Sequence, residues 1–378
     1  MTQLGPDEQE SAHLAALEAT PADEGAFHAL ESLYQRNDRW EDLVSLYEGR
    51  ARQGADGGGS GLLAKAADLA HRRMRNTARA EELYRQLLHA DPLHLSALLS
   101  MVEIYEERGD FTAVAEALRR QADATADPRA AAALYLKLGK VFEERLLRRD
   151  RAALFYARAS RLDPALAEAR QAALRCQLAL RRWAQAKRTL DGARERGAEK
   201  KALAAEYARL ATLLVDEPLD HGVGIEAVTE ALALDRAAPG AVAARERLES
   251  APRTWRGDVK ALVDQAAKAK ERRTAAHLYL RAAGLHAAYD PDGSARVLEL
   301  AERALLLAPA MSHGLDLLER FLSAREDWRG LADALARLAG SVRDRVALAD
   351  LHLRLARVDL VRFADANQAL EALERALA

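Results

Sequence analysis

The chain has 378 residues, 49% of them apolar and 30% charged, with a net charge of −2. That balance allows a sizeable core, excludes whole-chain disorder and gives no global field to draw the protein to nucleic acid. The single cysteine, Cys176, excludes an internal disulfide and any multi-cysteine zinc site.

Ala, Leu, Arg and Glu dominate, whereas Gly and Pro are sparse, so the expected fold class is all-α. The acidic start "MTQLGPDEQE" lacks an apolar stretch, and "ERALLLAPAM" (302–311) is far short of a membrane span. A soluble, cytoplasmic protein without membrane attachment is predicted. "EQESAHLAALEATP" (8–21) reads as one helix, a partial repeat over 7–19. It aligns with the helix that ends in "LLHADP" (87–92).

"RNDRWEDLVSLYEGRA" (36–51) places one Trp before a short amphipathic helix. The pattern returns: an aromatic precedes such a helix at Trp40, Phe111, Trp183, Trp255 and Trp328, 71 to 73 residues apart. About twenty residues before each stands a second marker: Thr20-Pro21, Asp91-Pro92, Asp163-Pro164, Asp235-Arg236 and Ala308-Pro309. Two markers in constant phase define five units near 72 residues, over 20–91, 92–163, 164–235, 236–308 and 309–378.

Each unit divides again. In "MVEIYEERGDFTAVAEAL" (101–118), Met101, Val102 and Tyr105 share one helical face, Gly109-Asp110 breaks the helix, and Phe111, Val114 and Leu118 open a second face. "LYLKLGKVFEERLLRRDRAALFYARASRLDP" (134–164) has the same helix–turn–helix form and ends at an Asp-Pro. Its Leu138, Gly139, Phe142, Ala152, Tyr156, Ala159 and Pro164 resemble the tetratricopeptide repeat, a helical hairpin whose copies elsewhere in this chain are degenerate. The first small or apolar positions of the second helices advance by steps alternating near 38 and 34 residues, so every second hairpin is lengthened. The resemblance implies a right-handed α-solenoid of about ten antiparallel helix pairs, forming one domain over 1–378. A lone hairpin cannot bury its apolar face, but stacked hairpins can. Trp40, Trp183, Trp255 and Trp328 are accordingly expected in the inter-helix core.

Little suggests chemistry. "GADGGGSG" (54–61) follows no strand and offers no phosphate-binding Lys, so it reads as a flexible loop. "VDEPLDHG" (215–222) gathers Asp216, Glu217, Asp220 and His221 and reads as a solvated inter-helix loop, not a metal site. Cys176 is expected to be a buried thiol in mid-helix. No catalytic residue, cofactor or metal is predicted, and the protein is read as non-enzymatic.

The resemblance places a binding groove along the first helices. One position past the Gly139 column stand Ser32, Asp68, Glu103, Lys140, Arg175, Thr212, Arg247, Leu285, Arg320 and Arg357, passing from polar or acidic to basic. Three positions further on, Leu178, Val215 and Leu360 add aliphatic surface. Arg281 enters one helical turn before the small position. The predicted partner-binding set is Arg175, Leu178, Arg247, Arg281, Arg320, Arg357 and Leu360. It suits an acidic peptide segment with apolar anchors, and marks an adaptor or scaffold. The alternatives are a structural spacer in a larger protein and a helical-repeat nucleic-acid reader, against which the alternating step and net acidity count. Apolar residues such as Leu360, Leu370, Leu373 and Leu377 further suggest end-to-end self-association.

Overall fold

The computed structural model describes residues 6–53 and 59–377, with side chains from residue 8 onward, save that of residue 53. Every regular element among them is helical, as composition predicts, and no strand occurs among the described residues. Contacts divide the chain into two units: a first up to Arg182 with Glu195–Ala198, and a second over Trp183–Arg194 and Glu199 onward.

The first unit comprises α1 (Pro6–Ala19), α2 (Glu24–Arg36), α3 (Trp40–Gln53), α4 (Gly59–Arg72), α5 (Thr77–Ala90), α6 (Leu95–Arg108), α7 (Phe111–Ala124), α8 (Pro128–Lys140), α9 (Arg149–Leu162) and α10 (Ala167–Ala179). The second comprises α11 (Trp183–Glu195), α12 (Lys200–Leu214), α13 (His221–Leu234), α14 (Ala241–Lys268), α15 (Arg272–Tyr289), α16 (Ser294–Leu307), α17 (Ser312–Ser323), α18 (Trp328–Ser341), α19 (Arg345–Val358) and α20 (Ala366–Leu377). Consecutive helices pack as antiparallel pairs in a tetratricopeptide-like repeat, each helix touching mainly those beside it in sequence. Of the glycine-rich segment, residues 54–58 lie outside the described residues, and Gly59 to Gly61 form the first turn of α4.

The hairpin turns share one backbone device. The residue two before a second helix is left-handed: Asp38, Arg75, Leu147, Glu326 and Ala364 take φ between +52° and +57°, and Gly109 takes +75°. Only Gly adopts this region without steric cost. The next helix is often capped by an Asp or Asn side chain: Asp110 accepts from the Ala113 N–H, Asn76 from Arg79 and Asp327 from Gly330.

Longer turns account for the longer steps. A π-helical turn, Val141–Arg145, follows α8; another, Asp359–Phe363, follows α19; a 3₁₀ turn, Pro218–Asp220, precedes α13. The two π-helical turns each place a guanidinium group over one of the recurring aromatics. The Arg145 guanidinium sits 5.0 Å over the Phe111 ring and Arg362 sits 3.8 Å over Trp328. Arg73, just after α4, sits 5.7 Å over Trp40. The tryptophans expected in the inter-helix core pack there to different depths, and Trp40 and Trp328 lie against the cores from their edges. Trp183 and Trp255 are buried, but Trp40 and Trp328 are half-buried under guanidinium groups.

The cores are built from small residues and tyrosines. A methyl added to Gly139 would overlap the Tyr156 ring, so the glycine sets how closely α8 and α9 approach. Buried Tyr hydroxyls donate to carboxylates on the neighbouring helix: Tyr84 to Asp68 at 2.5 Å, Tyr156 to Glu143 at 2.9 Å and Tyr207 to Asp191 at 2.7 Å. Each pairing satisfies a polar group that burial would otherwise penalise.

One hairpin is not a hairpin. The sequence places a turn before Trp255, yet Ala241 to Lys268 form a single 28-residue helix with Pro252 inside it. The reason lies in its apolar stripe. Ala241, Ala244, Leu248, Ala251, Trp255, Val259, Leu262 and Ala266 are all buried and follow a three-or-four spacing without a break. In α6 and α7 the apolar phase is reset at Gly109; here it runs straight across Pro252. Continuous burial outweighs the lost Leu248 carbonyl bond and the ring clash, a cost of about 3 kcal/mol.

Candidate functional site

The fused helix forms one side of a concavity in the second unit. On both sides of Pro252, α14 turns Arg247, Ser250, Thr254, Asp258 and Gln265, with Ala261 among them, to one largely polar face. Eighteen residues at 1.5 Å rise make that face about 27 Å long. It overhangs a cleft of about 460 Å³, whose other wall is Val215, Asp216, Pro218 and His221 with Arg281 and Leu285 of α15.

The wall is held by buried hydrogen bonds. His221, 6% exposed, donates from Nε2 to the Val215 carbonyl at 3.0 Å and accepts at Nδ1 from the Tyr289 hydroxyl at 2.5 Å. The acceptor nature of the carbonyl assigns the Nε2–H tautomer. Burial holds the imidazole below its usual range and raises the Tyr289 hydroxyl. Gly284 leaves room for Pro218 to approach α15. The segment expected to be a solvated loop is thus a packed wall, because His221 finds two partners inside the protein.

Electrostatically the cleft is balanced. Arg281 pairs with Asp216 at 2.6 Å, and Arg247 reaches the same carboxylate oxygen at 3.8 Å. Asp258 accepts from Thr254 Oγ1 at 2.8 Å. One carboxylate therefore sits between two guanidinium groups at the mouth of an otherwise apolar floor of Val215, Leu262 and Leu285.

The seven residues singled out from sequence are distributed unevenly. Arg247 and Arg281 meet in the cleft. Arg320 lies outside its lining but makes a two-pronged bond to Asp220, at 2.7 and 3.0 Å, which raises its already high pKa. Arg357 is exposed and has no ion pair among the described residues. Leu360 is exposed on the π-helical turn after α19. Arg175 and Leu178 belong to the first unit, where Arg175 binds Glu143 at 2.7 Å and Leu178 is half-buried. Cys176 is buried, and burial followed by the Glu143 charge pushes its thiol up to about 11, so it is no nucleophile.

Sequence reasoning missed Thr254, Asp258 and Gln265. The groove columns carried over from the repeat do not reach them, although the unbroken apolar spacing from Ala241 to Ala266 carried the signal. Among the described residues no cluster of His, Cys, Asp or Glu could hold a metal ion, and no helix is long and apolar enough to cross a membrane.

No protein-family profile matches the chain, and no curated protein matches it. Solved structures similar to it include the P58(IPK) TPR domain, at 14% identity and a TM-score of 0.27, covering 94% of this chain and 98% of that one. The TPR2AB domain of yeast Sti1 in complex with pHSP90 is similar at 12% identity and a TM-score of 0.26, covering 85% of this chain and all of that one. Naa15/Naa10 bound to HypK-THB is similar at 16% identity and a TM-score of 0.33, covering 98% of this chain; the match spans 60% of that chain. At these identities and scores the likeness extends to no individual site residue.

Proposed function

We propose that this chain is a non-enzymatic protein-interaction module of the cytoplasm, and that the cleft beneath α14 receives an extended partner segment. The observation that carries the reading is the continuous polar face of α14 above a cleft where Arg247 and Arg281 share Asp216. A face of about 27 Å accommodates roughly eight extended residues at 3.3 Å each. A partner carboxylate exchanges with Asp216 on Arg281, while an aliphatic side chain settles on Leu262 and Leu285. Asp216 keeps the guanidinium groups satisfied when the cleft is empty, so only a segment offering both a carboxylate and an apolar anchor gains by displacing it. The similarity to interaction domains such as TPR2AB of Sti1 in its pHSP90 complex is compatible with this role.

The test is fluorescence anisotropy with a panel of labelled acidic–aliphatic peptides. Arg247→Ala with Arg281→Ala should weaken a bound peptide about tenfold or more, and Asp216→Asn should tighten it. Binding indifferent to both changes, or absent across the panel, refutes the assignment.

A further inference from the structure

A second depression lies at the far end of α14, about 330 Å³ in volume, among the end of α14, the start of α15 and the end of α16. Its rim carries Lys270, Arg272 and Arg303, and no carboxylate lines it. None of the three makes an ion pair among the described residues; the intervening Glu271 instead accepts from Thr274 Oγ1 at 3.1 Å. Arg281, Arg320, Arg337 and Arg354 of the same unit have carboxylate partners, whereas these three cations gather around one apolar floor without one. The floor is apolar, with Ala275 and Leu307 inward and Leu306 52% exposed at the edge. Because α16 is a second helix of its hairpin, this surface lies outside the first-helix columns that the repeat resemblance assigns to a groove.

The geometry points to a second docking site, for an acidic protein segment that carries an aliphatic anchor. Three uncompensated cations around one apolar floor match carboxylates flanking a Leu or Ile side chain. The volume fits one or two such side chains. Single-stranded nucleic acid fits less well, since base stacking needs an open ring. The aromatic here, Tyr279, is 2% exposed, and the Arg303 guanidinium lies 4.7 Å over its face. This site is independent of the cleft that holds Arg247 and Arg281, so either can fail alone.

The probe is a dye-labelled peptide of Asp and Glu around two central Leu residues, titrated into the full chain by anisotropy. Its controls are an Asn/Gln counterpart and a uridine oligonucleotide. Lys270→Glu with Arg272→Glu removes exposed charges without disturbing the Arg303–Tyr279 contact, and far-UV circular dichroism checks the fold. The expected result is binding of the acidic peptide, loss of the neutral counterpart, and weakening of about tenfold or more in the reversed variant. Arg247→Ala with Arg281→Ala should leave this component of binding intact. Three results overturn the inference: binding unchanged by the Lys270/Arg272 reversal, equal binding of the neutral peptide, or preference for the oligonucleotide with the same sensitivity.

Discussion

Replacing Pro252 with Ala distinguishes one helix from two by the sign of a stability change. In a helix interior, Pro costs about 3 kcal/mol relative to Ala, through the missing N–H and the ring clash with the preceding turn. Part of that is returned because Pro restricts the unfolded chain, by about 0.4–1 kcal/mol. If Ala241–Lys268 is continuous, Pro252→Ala should stabilise the second unit by about 2 kcal/mol. If the chain turned at 252, as it does at Gly109, the ring would be harmless and the Ala variant would be less stable by about 0.4–1 kcal/mol. Urea unfolding followed by Trp fluorescence reads the sign. A distance measurement gives an independent answer. Glu246 and Lys260 are both exposed, so spin labels there perturb little. Fourteen residues of helix separate their Cα atoms by about 21 Å, whereas facing helices of a hairpin would hold them about 8–10 Å apart. A destabilised Ala variant together with the short distance would falsify the fused helix and the cleft built on it.

Further outcomes follow from the packing and the buried ionisable groups. Gly139→Ala should destabilise the first unit by about 1–3 kcal/mol, read from its urea midpoint, because the methyl meets the Tyr156 ring. Leu147→Gly should stabilise it by about 0.5–1 kcal/mol, since Leu147 is left-handed and 78% exposed. Burial and carboxylate bonds push the Tyr34 and Tyr135 hydroxyls up to about 12. Both stay neutral in the folded state, so their contribution is complete below pH 10 and is lost as pH rises from 10 towards 12, which alkaline melting curves will show. Burial lowers His221, so the unfolded chain takes up this proton first and stability falls as pH drops below 6.5; His221→Gln should flatten that slope. Leu370 and Leu377 of α20 are 57% and 89% exposed. Association through them would make sedimentation concentration-dependent, and replacing both with Lys should abolish the dependence.

Helicity, the 72-residue period and the alternating hairpin lengths are local or periodic properties, so they are written along the chain. The Gly109-Asp110 turn needs only its own residues: a left-handed glycine and an Asp that caps α7. Gly139 announces close packing because only a residue without a side chain fits against Tyr156. The repeat also put Arg247 and Arg281 into adjoining groove columns, and they meet on Asp216. Other features depended on which neighbours the fold supplies. Whether Pro252 ends a helix is a contest between a backbone penalty of about 3 kcal/mol and burial of Leu248, Trp255 and Val259 on one face. That burial exists only once α13 and α15 pack against α14. The charge state of the candidate surfaces is likewise tertiary. Arg320 is neutralised by Asp220, a hundred residues away, whereas Lys270, Arg272 and Arg303 find no carboxylate. Sequence periodicity lists the charges on a face, but ion pairing depends on distances of a few ångströms that only the packed chain sets.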